Sequence, residues 1–307
     1  MEFFPSKSFE LIQGRKAQSN IRSSVFEPRI TNLELRNGGI SLAEHVEGKL
    51  LIIGGAEDKK NECKILKRFI QESGGRESRI TVLTAATEFP RQVGIEYHAL
   101  FLELGAEEVQ VLDVSDRTQA NTQGTSKQFE KSTGVFFTGG DQLRITGLLG
   151  GTLLGRMLQQ LYEQGIIIAG TSAGASVMSD TMIVGGEAGT AKKNTLTMAP
   201  GLGLLRSVVI DQHFAQRGRI GRLLSAISQN PYVLGVGIDE DTAILVQSDA
   251  RFSVVGSNTV TVVDASPSTT TNVSETTPGQ ALVLSPISMH VLSEGYGFDL
   301  KRRVSLL

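Results

Sequence analysis

The chain of 307 residues has one cysteine, no tryptophan and only 6 % aromatic residues. The single Cys63 cannot form an internal disulfide, and it cannot build a zinc site from cysteines. No apolar run approaches the roughly 18 to 20 residues of a membrane-spanning helix, and the first residues lack the basic start and unbroken apolar core of a signal peptide. We therefore expect a cytoplasmic protein that does not bind membranes.

The sequence also lacks a strong net charge of either sign. Its 30 Lys and Arg residues against 32 Asp and Glu residues leave a formal charge of −2 at pH 7. Without a strong global field, the chain is not expected to bind nucleic acid, and any charge selectivity must be local. What the chain does have is apolar content, because 40 % hydrophobic residues suffice to bury a full core in one large domain or two small ones.

From about residue 49 onward, short β-rich apolar runs alternate with amphipathic segments, which is typical of βα units. The runs LLII and IIIA are apolar at every position, and this predicts strands buried on both faces, as in a parallel sheet covered by helices. Apolar residues at three- and four-residue spacing predict helices at roughly 58–73, 91–105, 141–163 and 217–229. A β-rich tail follows, so we expect an α/β fold: a doubly wound, mainly parallel sheet sandwiched by helices, with a β-rich C-terminal edge.

The N-terminal part of the chain fits this scheme poorly. Residues 1–46 are therefore expected to be an extension of unknown role, and residues 47–307 to form a single α/β domain. Residues 267–278, PSTTTNVSETTP, are rich in Ser and Thr, and we expect them to form a surface loop.

The strongest local signal is GTSAG, which fits the pattern G-x-S-x-G directly after the buried run IIIA. In this context the serine, Ser172, is expected to sit on a sharp strand-to-helix turn that exposes its hydroxyl as a nucleophile. The small residues Ala173, Gly174 and Ala175 suit such a turn, because its backbone approaches itself closely. A tight turn with a capping serine remains the alternative.

A serine nucleophile needs a base, and the chain has only 4 histidines. His45 lies in a polar segment, His98 in an amphipathic run and His290 in an alternating strand, so none of these positions indicates a site. His213 differs, because it comes just after the buried run SVVID, where sites of open α/β sheets are assembled.

An acid must orient the imidazole, and the run GIDEDTA offers Asp239, Glu240 and Asp241 at the end of the next strand. We favour Glu240, although composition alone cannot choose among the three. The chain order Ser172, His213, acid differs from the Ser, acid, His order of the α/β-hydrolases, so an ordinary lipase or esterase is disfavoured.

Two backbone N–H groups could form an oxyanion hole, those of Ala173 and of Gly140 in the loop TGGDQ. Such donors typically contribute roughly 3 to 4 kcal/mol each to the stabilisation of the transition state. The loop also fits a helix N-terminus with Asp141 as its cap, and both descriptions can hold at once.

Arginines cluster directly after the candidate base, at Arg217, Arg219 and Arg222. Arg219 and Arg222 lie three residues apart and would share a helical face. Guanidinium groups bind carboxylates through two parallel hydrogen bonds, so the cluster indicates a substrate with free carboxylates. A solvated basic helix face is the alternative.

Five motifs together resemble peptidase family S51, which contains the cyanophycinases and aspartyl dipeptidase (peptidase E): LIIGGAEDK, TGGDQ, GTSAGASVMSD, DQHFAQRGRIGRL and GIDEDTA. The resemblance covers roughly residues 47–300 and favours the cyanophycinases. It implies a class I glutamine-amidotransferase-like α/β fold in a homodimer. It also implies a serine exopeptidase that cleaves cyanophycin, a poly-aspartate chain carrying arginine on each β-carboxyl, into β-Asp-Arg dipeptides through an acyl-enzyme.

The resemblance also implies roles for residues of the motifs. Ser172 corresponds to the nucleophile, His213 to the base and Glu240 to its partner, and no metal or organic cofactor is required. The residues that resemble the family's substrate pocket are Gln142, Asp211, Gln212, Arg219 and Arg222. The acid that would bind the substrate's guanidinium stays open, with Glu57 and Asp58 as candidates.

Three other functions fit the sequence less well. The same chemistry could act on short α-aspartyl dipeptides, although the arginine-rich segment and the length of the chain favour the polymer. A catalytically inactive relative that binds cyanophycin would need a broken triad, whereas serine, histidine and acid are all present. A class I amidotransferase is disfavoured, because its nucleophile is a cysteine and Cys63 lies in a run that we expect to be helical.

Overall fold

The apolar runs of the sequence form strands in the computed structural model, which describes residues 48–186 and 188–307 except for the side chain of Ser126. The predicted N-terminal extension, residues 1–46, lies outside the described residues, as does His45. The strands are β1 (Leu50–Ile53), β2 (Arg79–Leu83), β3 (Glu108–Leu112), β4 (Gly134–Phe137), β5 (Ile167–Thr171), β6 (Thr181–Gly186), β7 (Leu196–Pro200), β8 (Val208–Gln212), β9 (Leu234–Ile238), β10 (Thr242–Val246), β11 (Arg251–Gly256), β12 (Val260–Asp264), β13 (Thr270–Thr271), β14 (Leu284–Ser285), β15 (Ser288–Leu292), β16 (Gly297–Asp299) and β17 (Val304–Leu306).

Helices separate many of these strands. They are α1 (Lys64–Glu72), α2 (Pro90–Glu103), α3 (Arg117–Ala120), α4 (Gln123–Lys127), α5 (Gln142–Leu149), α6 (Leu153–Glu163), α7 (Ala173–Ser176) and α8 (Ile220–Gln229). Among residues 48–186 and 188–307, no helix has both the length and the apolar character that crossing a membrane requires.

Within the described ranges, nine strands form the large sheet, in the order β17-β16-β11-β10-β1-β5-β4-β2-β3. The strands β1, β5, β4, β2 and β3 are parallel, as the buried runs predict. The strands β10, β11, β16 and β17 extend this sheet in antiparallel fashion. The predicted α/β fold, with its mainly parallel sheet and β-rich C-terminal edge, is confirmed.

A smaller sheet departs from the prediction of one doubly wound sheet. In the described part of the chain it has four strands, in the order β15-β12-β9-β8, and only β8 and β9 are parallel. The strand β10 pairs with β1 and so occupies the place where β8 or β9 would continue the large sheet. The run SVVID is therefore buried, as predicted, but it lies in a second layer.

The core follows from the alternation of side chains along the buried strands. Leu51 and Ile53 of β1 face α1 and α2, whereas Leu50 and Ile52 of β1 share a core with α5, α6 and the small sheet. The opposite face of the small sheet is covered by α8. Helices thus cover both faces of the layered sheets.

Three predicted helical segments begin later than expected or divide into two helices. The segment 58–73 becomes helical only at Lys64, because the Asp58 carboxylate accepts the N–H groups of Lys60, Asn61 and Cys63 and holds a turn there. The expectation that Cys63 lies in the helix is therefore wrong; it precedes the helix and is buried.

The segment 141–163 divides into α5 and α6, and the hydroxyl of Thr152 caps α6 by accepting the N–H of Gly155 at 3.2 Å. The segment 217–229 is helical from Ile220. In the segment 267–278, the expected loop, Thr270 and Thr271 form the short, exposed strand β13.

Candidate active site

Ser172 connects the carboxyl end of β5 to the start of α7. Its backbone has φ 53° and ψ −108°, in a region that residues other than glycine rarely adopt. Strained backbone of this kind persists only where the surroundings fix it, and it is common at functional sites. The sharp strand-to-helix turn that the GTSAG motif predicts is therefore present, and its hydroxyl is partly exposed.

His213 follows β8 and brings its imidazole to the serine. Its Nε2 lies 3.0 Å from the Ser172 Oγ, and its Nδ1 lies 2.6 Å from the Glu240 Oε1. A carboxylate only accepts hydrogen bonds, so Nδ1 carries the proton and Nε2 is left to accept the proton of the serine hydroxyl. The imidazole is 11 % exposed, and the Glu240 side chain is 36 % exposed.

The structure distinguishes the three neighbouring acids between β9 and β10. Glu240 alone of the three contacts the His213 imidazole. The Asp239 carboxylate accepts the N–H of Ala215 at 2.9 Å, and the Asp241 carboxylate accepts the hydroxyl of Ser257 at 2.6 Å. The two aspartates therefore hold loops, and Glu240 remains for the base.

The surroundings of His213 keep its imidazole neutral. Burial lowers the pKa of His213 below its ordinary value of 6.5, and the hydrogen bond to Glu240 opposes this effect. The positive charge of Arg217 lowers the pKa further. A neutral imidazole can accept a proton from Ser172, which is what a general base must do at neutral pH.

The loop after β4 lies beside the serine. Gly140 has φ +143° and approaches the Ala86 carbonyl so closely that a side chain would overlap it. Asp141 donates its N–H to the Ala86 carbonyl at 2.9 Å, and its carboxylate accepts the N–H of Leu143 at 2.8 Å. The alternative description of this loop, a capped helix N-terminus, is therefore present. Ala173 begins α7, and its N–H has no partner within that helix.

Four of the five predicted pocket residues meet in one buried cluster. The Asp211 carboxylate, 1 % exposed, accepts two hydrogen bonds from the Arg222 guanidinium and one at 3.3 Å from Arg219. Arg219 also donates to the Gln212 Oε1 at 3.1 Å, and burial lowers its pKa to about 10. The fifth, Gln142, donates to the Ile183 carbonyl at 3.0 Å.

Arg219 is the N-cap of α8 and only Arg222 lies inside the helix, so the expectation that the two share a helical face is wrong. The alternative, a solvated basic face, does not hold for them either, because both residues are only 8 % exposed. No pattern in the sequence indicates that Asp211 binds both guanidinium groups. A substrate carboxylate that binds Arg222 must compete with Asp211.

Comparison with known proteins identifies the family. The sequence model of peptidase family S51 matches residues 50–254. A cyanophycinase of Geminocystis herdmanii is 40 % identical over 262 residues, which are 85 % of this chain and 96 % of the relative. This chain belongs to peptidase family S51.

Further comparisons agree with this assignment. A cyanophycinase of Nostoc sp. is 40 % identical over 287 residues, 93 % of this chain and 95 % of the relative. Among solved structures, a peptidase from an acI-B1 Actinobacterium has a TM-score of 0.62 at 20 % identity and covers 84 % of this chain and 98 % of its own. That likeness shows the fold.

Two acids of this S51 peptidase do not fit an open guanidinium site. Glu57 is 5 % exposed and already accepts the hydroxyls of Thr171 and Tyr97. Backbone N–H groups, that of Lys60 first, lower the pKa of Asp58 well below its usual range, because they stabilise the carboxylate that they surround. Both candidates from the sequence therefore hold local structure.

Arg217 of this S51 peptidase differs from the other two arginines of the cluster. It is exposed, whereas Arg219 and Arg222 are buried. It lies in the turn between His213 and α8, two residues before Arg219, the N-cap of that helix. Across the two described ranges, no group of three or more His, Cys, Asp or Glu side chains is arranged to hold a metal ion.

Proposed function

We propose that this S51 peptidase is a serine exopeptidase that hydrolyses cyanophycin to β-Asp-Arg dipeptides, with Ser172 as nucleophile, His213 as base and Glu240 as its partner. One observation carries the proposal: the hydrogen-bonded chain from the Ser172 Oγ through the imidazole to Glu240, with distances of 3.0 and 2.6 Å. The relatives named cyanophycinase, 40 % identical over most of the chain, support the substrate.

The reaction begins when the Ser172 Oγ attacks the carbonyl carbon of the peptide bond before the last aspartyl unit. The hydroxyl proton passes to the His213 Nε2, and Glu240 stabilises the imidazolium that forms. The N–H groups of Ala173 and Gly140 hold the developing oxyanion. His213 then returns the proton to the leaving amine, and water hydrolyses the ester on Ser172 by the same steps.

The pocket proposal concerns the charges of the substrate. Asp211, Arg219 and Arg222 together carry one more positive than negative charge, so a substrate carboxylate beside them would balance the cluster. Gln212 bonds to Arg219 and would help to orient that guanidinium. The Gln142 amide lies at the start of α5, directly after the loop that contains Gly140. Exposed Arg217 offers a guanidinium that a carboxylate can reach from solvent.

Digestion of pure cyanophycin by wild-type protein and by Ser172→Ala tests this function. Wild type should release a product with the mass of β-Asp-Arg, and Ser172→Ala should lower kcat by about ten-thousand-fold or more, because only binding and the oxyanion hole remain. The exposed Ser248 supplies the matched control, since Ser248→Ala should keep wild-type kcat.

The same samples, incubated with Asp-X dipeptides, distinguish the alternatives. Cleavage of dipeptides but not of the polymer would assign an aspartyl dipeptidase. Binding of cyanophycin without cleavage of either substrate would assign an inactive binding relative. Near-normal activity of Ser172→Ala would remove the proposed nucleophile.

The proposal includes a cytoplasmic homodimer with no nucleic-acid partner. Equilibrium sedimentation should give twice the 33.0 kDa mass of the chain. A mass that equals one chain at all concentrations would contradict the dimer, and fractionation of cells checks the location.

A further inference from the structure

The segment 54–58, which follows β1, contacts the chain on both sides of the imidazole. The Gly54 carbonyl accepts the N–H of His213 at 2.8 Å. The Gly55 carbonyl accepts the N–H of Asp241 at 2.9 Å, directly after the triad's acid. This short segment is therefore hydrogen-bonded both to the backbone of His213 and to the backbone next to Glu240.

The same segment reaches the third place through Glu57. The Glu57 carboxylate accepts the hydroxyl of Thr171 at 2.5 Å, and Thr171 is the last residue of β5. Thr171 is 4 % exposed and directly precedes Ser172. The proposed mechanism gives this buried carboxylate no other role.

Other groups compensate the charge of Glu57. The Tyr97 hydroxyl donates to its second oxygen, and the Lys59 ammonium lies 4.0 Å from it. Lys59 also lies 4.2 Å from the centre of the Tyr97 ring. Burying a carboxylate is costly unless hydrogen bonds and a counter-charge accompany it, and these contacts supply both and hold the Glu57 side chain in one place.

We propose that Glu57 is a positioning residue for the nucleophile, acting through the hydroxyl of Thr171. Ser172 has a strained backbone, which persists only where neighbouring contacts fix it. A charge-assisted hydrogen bond on the preceding residue supplies such a contact, because it is stronger than a neutral one. The inference rests on the proposed role of Ser172.

The test uses full-length Thr171→Val and Glu57→Gln, since either change removes or weakens the same charge-assisted bond. Two quantities are measured: kcat and KM on cyanophycin, and the rate at which a fluorophosphonate labels Ser172. We expect both variants to lose about 10- to 100-fold in kcat and in labelling rate, because small displacements of a reacting group have effects of this size. KM should stay within about twofold of wild type.

Two further variants separate positioning from general stability. Thr171→Ser keeps the hydroxyl and should restore kcat to within about threefold of wild type. Thr81→Val is the matched control, because Thr81 is a buried threonine of β2 whose hydroxyl bonds to Ser132 at 2.6 Å. It should lower the melting temperature and leave kcat unchanged.

Each outcome decides the inference. Wild-type labelling rates in both Thr171→Val and Glu57→Gln would overturn it, as would a Thr171→Ser variant as slow as Thr171→Val. A wild-type protein that is labelled but does not cleave cyanophycin removes the proposed substrate, and the labelling rates then decide the role of Glu57. A wild-type protein that is not labelled removes both proposals.

Discussion

Gly55 lies against the His213 imidazole. Its φ is +104°, and a methyl group added there would overlap the ring. Gly55→Ala should therefore displace the imidazole from Ser172 and lower kcat by about 100-fold, the effect expected of a shift near 1 Å. Steady-state kinetics on cyanophycin checks this prediction.

Gly105 provides the control for the backbone effect. Its φ of +99° matches that of Gly55, but nothing lies within 4 Å of an added methyl group. Gly105→Ala should show the conformational cost of a positive φ as a lower melting temperature, with kcat unchanged. Equal kcat in the two variants would contradict a role for the imidazole contact.

Burial lowers the pKa of His213, and the positive charge of Arg217 lowers it further, so this charge should affect the pH range of the proposed activity. A nearby cation disfavours the imidazolium, so Arg217 lowers the pKa of His213. His213 must be neutral to accept a proton, and activity is therefore lost as pH falls through that pKa. Arg217→Gln should raise the pKa and move the acid limb of kcat/KM to higher pH.

A pH profile of kcat/KM from pH 4 to pH 9 would measure this shift, over the range about the ordinary histidine pKa near 6.5. Arg76→Gln removes an exposed arginine from the turn between α1 and β2 and should leave the profile unchanged. An acid limb that is identical in Arg217→Gln and wild type would show that Arg217 does not act on His213.

At the scale of elements, the cap of α5 also holds the loop 138–142, which contains the proposed oxyanion donor Gly140. Asp141 caps the helix through the N–H of Leu143 and binds Ala86 through its own N–H. Asp141→Ala should cost about 1 kcal/mol in the free energy of unfolding, the typical value of a lost N-cap. It should also lower kcat, because Gly140 directly precedes it in the loop.

Asp116 caps α3 through the N–H of Gln119 at 2.9 Å and supplies the comparison. Asp116→Ala should lower stability in urea unfolding without a change in kcat. If Asp141→Ala kept the wild-type kcat, the cap of α5 would not be required for the proposed oxyanion hole.

Sequence patterns predict the parallel strands because a strand that is buried on both faces needs apolar residues at every position. IIIA and LLII are apolar throughout, and both lie inside the large sheet. They do not predict which sheet a strand joins. The strand β8, VVIDQ, is buried at every position too, yet it belongs to the small sheet. Sheet membership depends on β10 pairing with β1, a contact between residues far apart in the chain.

In the candidate site, too, the sequence predicts local features but not every contact between distant residues. The GTSAG motif indicates the turn at Ser172 because its small residues are a local requirement, and the structure brings His213 and Glu240 to that turn as the sequence suggests. Their catalytic roles remain predictions. The sequence does not predict the ion pair of Asp211 and Arg222, because an arginine near a candidate base is equally consistent with a contact to the substrate.

At the scale of the whole molecule, the sequence model of peptidase family S51 matches residues 50–254, a range that contains Ser172, His213 and Glu240. We therefore expect a chain of residues 47–307 to fold and to keep kcat within about twofold of the full-length protein. Circular dichroism and cyanophycin kinetics on both chains check this. A folded short chain without activity would show that the N-terminal extension contributes to the site.

The pairing of β1 with β10 has a consequence for protein synthesis. The ribosome synthesises β1 early, but β10, the antiparallel partner of β1, is synthesised only after Glu240 has been added to the chain. Until then the serine turn has no imidazole and acid aligned beside it. We therefore expect a polypeptide whose translation stops before β10 to carry the proposed nucleophile without an aligned base and acid to activate it.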